Sequence, residues 1–343
     1  MKPQINYQSL RPVAATIPAI STKLEFNDIL GAIKVRWGIG RDHYTVKPGL
    51  YKLGKPNHES DVFISANYKL SFDTLRKNLD SLDAWILVID TKGVNVWCAA
   101  GKGTFGTANL VKSIKESSLE HFVDHHKIIV PQLAATGVAA HKVKEQTGFR
   151  VIFGPVHASD IIAFVQAGYK ATPEMRKMEF PFYERAKLIP VDIMYRKYQL
   201  LLLVVGLFFI SGLDKTGFLF SKMAGTGLFP VGNLIGAYFA GVVLAPLFLP
   251  WVPFRAFALK GAFWGMVITI ILYFLFPVST LEIVALGLIN MSIASFMTMN
   301  FTGSSTYTSL SGVKIEMKWA IPFQIAFAAT GLVLFVISKL IEL

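Results

Sequence analysis

Five apolar stretches crowd the C-terminal half of this 343-residue chain. They run from about Tyr195 to Leu213, Phe229 to Leu249, Ala256 to Phe276, Thr280 to Met299 and Lys318 to Ile341. A hydrocarbon core about 30 Å thick needs roughly 20 such residues per helix, so the pattern predicts five transmembrane spans. The charge lies elsewhere. Residues 1–197 hold 27 basic and 18 acidic residues, a net of +9, whereas 198–343 hold 7 and 4, a net of +3. A water-soluble N-terminal half is therefore expected to precede an all-α membrane half. A single soluble domain, a disordered chain and a disulfide scaffold are excluded. The one cysteine, Cys98, has no intramolecular partner for a disulfide.

The opening residues MKPQINYQSLRP lack the apolar core of a signal peptide. Arg185, Lys187, Arg196 and Lys197 crowd the start of the first span, the mark of a cytoplasmic flank. The expected arrangement is a cytoplasmic N-terminal domain on a multi-pass protein of the cytoplasmic membrane, with the C-terminus outside. The spans carry no His or Cys, and ionisable residues are scarce, with Glu282 near an end and Asp214 in a turn. They read as an anchor with a partner surface. The hydroxyl-rich run 301–318 reads as a polar cytoplasmic loop.

Residues 1–40, broken by Pro3, Pro12 and Pro18, read as irregular. An α/β domain is expected over 41–190 and the membrane domain over 191–343. YTVKPGLYKLG (44–54) suggests an extended pair or hairpin. DVFISAN (61–67), AWILVID (84–90), KIIVPQL (127–133) and RVIFGPV (150–156) read as strands. Helical patterns at 72–82, 104–117, 137–148 and 158–168 alternate with them. That alternation indicates βαβ units and a parallel, Rossmann-like sheet. Ligands of such sheets bind outside the carboxyl ends of the strands, which selects loops 65–71, 91–103, 131–137 and 154–158. No GxGxxG or GxxxxGK[ST] motif is present, so an ordinary nucleotide site is not expected. His121, His125 and His126 read as a solvated helix end.

The loop after the 84–90 strand carries Asn95-Val96-Trp97-Cys98-Ala99-Ala100-Gly101-Lys102. Asn95 is a good N-cap, which puts Cys98 in the first helical turn. Free N–H groups and the helix dipole there favour a thiolate, and Lys102 adds positive charge on the same face. Ala99, Ala100, Gly101 and Gly103 make a thin helix that can lie flat against a broad planar object. A buried inert thiol, a redox sensor and a nucleophile are the other readings of a lone cysteine.

This octapeptide resembles the cap-helix motif N(V/I)WCA(A/G)GK of the HgcA family, the corrinoid proteins of mercury methylation, at all eight positions. The resemblance extends over residues 40–343, since that family joins a corrinoid-binding domain to five spans. It implies that Cys98 is the lower axial ligand of corrinoid cobalt. Asn95, Val96, Trp97, Ala99, Ala100, Gly101 and Lys102 would form the surface under the macrocycle. Ser65, Asn67 and Lys69, in SANYKLSFD, match the family's loop near the corrinoid. By topology, Gln132 and Gly154, Pro155 and Val156 would hold the ring amides and nucleotide tail.

The implied activity is transfer of a methyl group from methyl-cobalt to Hg(II), giving methylmercury. The methyl group would come from a folate-type donor through another protein. A [4Fe–4S] cluster typically takes four thiolates, so one cysteine leaves the chain without its own. The resemblance implies a ferredoxin-like partner with two [4Fe–4S] clusters as electron donor, in an anaerobic cytoplasm. No nucleic-acid partner is expected, despite the positive charge. Competing readings are a membrane-anchored corrinoid methyl carrier with another acceptor, a cobalamin-binding or transport module without catalysis, and a heavy-metal exporter. The single cysteine and the His-free spans count against the last.

Overall fold

A computed structural model describes residues 17–301 and 310–341. The chain divides into two compact units, one of residues 1–35 and 39–178, the other of 36–38 and 179–343.

The first unit is built on a six-stranded sheet in the order β1-β2-β4-β3-β5-β6. The strands are β1 (Ala19–Ile20), β2 (Gly49–Leu53), β3 (Val62–Ala66), β4 (Ala84–Ile89), β5 (Lys127–Val130) and β6 (Arg150–Phe153). The helices are α1 (Phe26–Arg36), α2 (Lys69–Lys77), α3 (Val96–Lys102), α4 (Thr107–Glu116), α5 (Ala140–Thr147) and α6 (Ile161–Gln166). β3 and β4 are buried along their whole length, because helices cover both faces of the sheet. Val62, Ile64, Leu87 and Ile89 face one core with residues of α3, α4 and α5. Phe63, Ile86 and Val88 face the other with residues of α2 and α6. β3, β4, β5 and β6 are parallel. The chain leaves β3 toward β4 on one side and leaves β5 toward β6 on the other. The crevice between these diverging loops is where open sheets bind ligands.

Two expectations for this unit are corrected. The 44–54 segment is not a hairpin: β2 pairs antiparallel with β4, making the sheet mixed, while Thr45 bridges to Tyr68. The N-terminal segment is not wholly irregular, since it contains β1 and α1; Pro3 and Pro12 lie outside the described residues. α1 forms through long-range partners. Asp28 accepts from the N–H of Glu25 at 3.0 Å, closing the first turn, and binds Lys69 Nζ at 2.5 Å and Arg76 Nη2 at 2.6 Å. Asp73 takes the same two cations at 2.6 and 2.7 Å. Arg76 also donates to the carbonyls of Ser21 and Lys23. Burial disfavours the Asp28 charge, but these hydrogen bonds outweigh it and hold the carboxyl at about 2.

In the second unit, four described helices are long and apolar enough to cross a membrane: Leu228–Leu247, Phe257–Leu275, Thr280–Asn300 and Gly312–Ile341. A fifth span arises only if Phe182–Tyr195 and Lys197–Ile210, bent by 58° at Arg196, count as one. The span predicted over about Tyr195–Leu213 falls largely on the second helix of this bent pair. The polar 301–318 loop is also corrected: the last helix begins at Leu310, and residues 302–309 lie outside the described residues. Glu316 explains the helical continuation. Its buried carboxylate accepts from the N–H of Ala258 at 2.6 Å and so caps the neighbouring helix. A Cβ on Gly265 would fall 2.5 Å from Asn290 O, so these two helices touch backbone to backbone.

The interior of this unit is more polar than a plain anchor requires. Lys339 pairs with Glu282 at 2.9 Å, with both side chains buried. Lys260 Nζ is buried against the carbonyls of Leu249 and Val252. Asn290 Nδ2 bridges Asn233 and Thr269 at 2.6 and 2.8 Å.

Asp28→Asn removes the charge that α1 and α2 share. It should lower the opening free energy of α1 by about 1–3 kcal/mol, read as faster amide hydrogen exchange there. The carboxyl titrates lower in the fold than its ordinary 3.8, so its contribution is complete above about pH 4. It fades as pH falls through about 2.

Candidate functional site

The carboxyl end of β3 continues into Asn67, whose buried side chain organises the next loop. Its Oδ1 accepts the N–H groups of Thr91 and Gly93, each at 3.0 Å, and lies 2.8 Å from Thr91 Oγ1. Its Nδ2 donates to Asp90 at 3.2 Å. Asp90 in turn accepts from the N–H of Lys92, which stands at φ +56°, a left-handed conformation uncommon outside glycine. Thr91 Oγ1 lies 2.6 Å from Val94 O. The loop 90–94 is thereby fixed, and it delivers the chain to Asn95.

Asn95 is the N-cap of α3, and its Oδ1 accepts from Cys98 N at 2.9 Å. Gly103 closes the helix in the left-handed conformation at φ +80°. Val96, Ala99 and Ala100 are buried in the core, while Trp97 and Cys98 are half-buried and Gly101 and Lys102 are exposed. The helix presents one thiol, free of any disulfide, on its half-open side. A Cβ built on Gly101 meets nothing within 4 Å, so that side of the helix is open at this position.

On its inner side α3 rests on the loop after β5. A Cβ on Gly137 would fall 2.5 Å from Phe105 O and 3.1 Å from Ala100 O. Gly137 O accepts from Thr107 N at 3.1 Å, and Thr107 Oγ1 accepts from Ala139 N at 2.8 Å. Gln132 begins the short turn Gln132–Ala134, and its Oε1 accepts from Arg176 Nη1 at 2.5 Å. Gly154 and Pro155 are buried at the end of β6, and Val156 N donates to Met175 O.

The predicted residues therefore gather at the carboxyl ends of four parallel strands. Two of them have their side chains committed to the framework: Asn67 to the 90–94 loop, and Lys69 to Asp28 and Asp73. Ser65 is 2 % exposed and donates to the carbonyl of Ala66. Sequence reasoning missed Thr91, Thr107, Gly137 and Arg176. Gly137, in an Ala-Thr-Gly-Val run, carries no local signal, because the backbone it must admit comes from residues 100 and 105. Among the described residues no group of three or more His, Cys, Asp or Glu side chains is placed to hold a metal ion.

Residues 20–165 match the family model described as CO dehydrogenase/acetyl-CoA synthase delta subunit. This segment covers the sheet and α3. The chain is 29% identical over 146 residues to the acetyl-CoA decarbonylase/synthase complex subunit gamma of Archaeoglobus fulgidus, 41% of this chain and 31% of that protein. It is 32% identical over 124 residues to the corrinoid/iron-sulfur protein large subunit of Moorella thermoacetica, 36% of this chain and 27% of that one. The gamma subunit of Methanopyrus kandleri is 31% identical over 128 residues, 37% and 27% of the two chains. The chain spans under a third of the length of these curated relatives. The N-terminal unit is thus similar to a corrinoid/iron-sulfur protein large subunit and to gamma subunits of acetyl-CoA decarbonylase/synthase complexes.

Gly137→Ala drives a methyl group into backbone and should cost about 1–3 kcal/mol. Gly101→Ala, on the open side, should leave α3 intact or gain up to about 1 kcal/mol from helix propensity. Hydrogen exchange of the α3 amides in the two variants distinguishes a wedged face from an open one.

Proposed function

We propose that the α/β unit binds a corrinoid with Cys98 Sγ as the lower ligand of cobalt, and that the chain moves a methyl group from this cofactor to Hg(II). One observation carries the reading: a half-buried thiol on the Asn95-capped helix α3 stands over the strand ends of a sheet similar to corrinoid proteins. When bound, the corrinoid supplies a cobalt centre able to accept and release a methyl group.

The chain's own residues do the rest. Asn95 fixes the first turn and thus the direction of the thiol. A cysteine ligates a metal through its sulfur, and Cys98 is the residue of the helix that would do so. A thiolate ligand from Cys98 would donate more electron density to the metal than an imidazole would, a donor suited to methyl transfer toward a soft electrophile. Val96, Ala99 and Ala100 seat the helix in the core, and Gly101 leaves the ring face unobstructed. Asn67 acts through the 90–94 loop. Gln132, Gly154, Pro155 and Val156 border the crevice where ring amides and a nucleotide tail would lie. Trp97 flanks the thiol. Ser65 and Lys69 support the loop that begins this surface.

The partners proposed are a ferredoxin-like electron donor with two [4Fe–4S] clusters and a protein carrying a folate-type methyl group. With a single cysteine, this chain offers no thiolate set for a cluster. The apolar helices are compatible with a membrane protein, and the proposed location is the cytoplasmic membrane with the α/β unit in the cytoplasm. A second reading keeps the corrinoid and changes the acceptor. It is favoured by the gamma-subunit relatives, whose names refer to an acetyl-CoA decarbonylase/synthase complex.

The ultraviolet–visible spectrum of the purified full chain tests the cofactor and its ligand. A corrinoid spectrum that changes in Cys98→Ala is expected; an unchanged one refutes ligation. Methylmercury formation with reductant supplied should fall in that variant by at least the roughly 10–100-fold that loss of an outer-shell partner costs. Gly101→Leu should keep the fold and lose the corrinoid. A corrinoid-loaded wild type that methylates other thiophilic acceptors but not Hg(II) selects the second reading.

A further inference from the structure

α1 carries an apolar stripe that the sheet does not cover. At about 100° per residue, Phe26, Ile29, Ile33 and Trp37, the last in the turn that follows, share one face, and they are between 44 and 76 % exposed. The opposite face is already occupied. Val35 is buried there, Asp28 holds Lys69 and Arg76, and a Cβ on Gly31 would collide with the Tyr44 ring. Exposed Asn27 and Lys34 border the stripe on one side and half-buried Arg36 on the other. Residues 17–41 hold four basic side chains, Lys23, Lys34, Arg36 and Arg41, against Glu25 and Asp28. Of these two acids, Asp28 is already paired with two cations.

Single apolar side chains on a surface are ordinary, but a contiguous row rimmed by polar ones marks an interaction site. Two observations say what covers this one. First, residues 36–38 belong to the second unit, where a Cβ on Gly38 would lie 3.8 Å from a Val191 methyl and 3.9 Å from Met194 Cβ. Val191 and Met194 sit on the helix Ile189–Tyr195, directly before Arg196 and the apolar helix Lys197–Ile210. Tyr195 and Tyr198 are exposed there, and tyrosines and basic residues gather where a span enters the headgroup layer. The C-terminal end of α1 is thus tied to the start of the apolar helix, and its far end is only about 16 Å away along its axis. Second, the basic flanks suit an anionic surface. A helix with one apolar face edged by Lys and Arg lies in the plane of a bilayer interface. We propose, with the second unit spanning a membrane as above, that α1 docks on the anionic headgroup surface of that membrane. Its apolar stripe enters the boundary between headgroups and acyl chains, and Lys34 and Arg36 meet lipid phosphates on either side.

The test uses the full chain in nanodiscs of mixed phosphatidylglycerol and phosphatidylcholine. The photocrosslinker p-benzoylphenylalanine replaces single exposed residues, and lipid adducts are read by mass spectrometry. Adducts are expected at Ile33, and also at Phe274, exposed on the span Phe257–Leu275. None is expected at Lys112, exposed on α4 and on the other face of the sheet from α2. Ile29 supplies the same reading if the Ile33 variant misfolds. In phosphatidylcholine alone the yield at Ile33 should fall severalfold while that at Phe274 holds, since one basic side chain near an anionic surface is worth about a fivefold change in affinity. Lys34→Gln combined with Arg36→Gln should lower it equally in the mixed lipid. Adducts at Phe274 but at neither Ile33 nor Ile29 would overturn the docking and leave the spans standing. Adducts at none of the three would overturn the membrane reading, and the docking with it. Crosslinks from Ile33 to protein instead of lipid would overturn the lipid in favour of a second copy or another part of this chain. Equal yields on the two lipid compositions would overturn recognition of charge.

Discussion

The carboxamide of Asn67 ties the end of β3 to the loop that follows β4, and the position of the thiol depends on it. One buried oxygen takes two backbone N–H groups and sits beside a hydroxyl. The loop can then hold Lys92 in a left-handed conformation and present Asn95 at the right place to cap α3. A seven-residue helix with an internal glycine has little stability of its own. It exists because Asn67 fixes its entry, Gly103 its exit and Gly137 the floor beneath it. Removing any of these leaves buried donors unpaired or backbone in collision, so the thiol's surroundings are set by residues that never touch it.

Much of this unit was legible because its causes are local. The fully apolar β3 and β4 follow from burial on both faces, and the Asn95 cap from a side chain three residues before the N–H it accepts. α1 was not legible, because its stability comes from Lys69 and Arg76, more than forty residues away. The antiparallel pairing of β2 escaped for a related reason, since the 44–54 pattern does not say which strand it pairs with. Ser65, Asn67 and Lys69 were picked out by motif. Their hydrogen bonds show support within the protein, a distinction that no one-dimensional pattern carries.

The second unit was read as an anchor because its ionisable residues are few. In the structure four of those few, Lys260, Glu282, Glu316 and Lys339, are buried, and each has a specific use. Glu316 caps a neighbouring helix. Lys260 satisfies carbonyls that a helix end leaves open, and Lys339 neutralises Glu282. Counting charges in a sequence gives their number but not their depth. Polar groups cost more in an apolar interior than in water, so a small number of them can fix how helices meet.

The backbone wedge at Gly137 also bears on what sets the helix. α3 has no floor without β5 and its turn, and β5 joins the sheet beside β3, more than sixty residues earlier in the chain. The segment that carries Cys98 thus depends on a contact between parts of the chain far apart in sequence. The setting of this helix is a property of the finished sheet and not of its own seven residues.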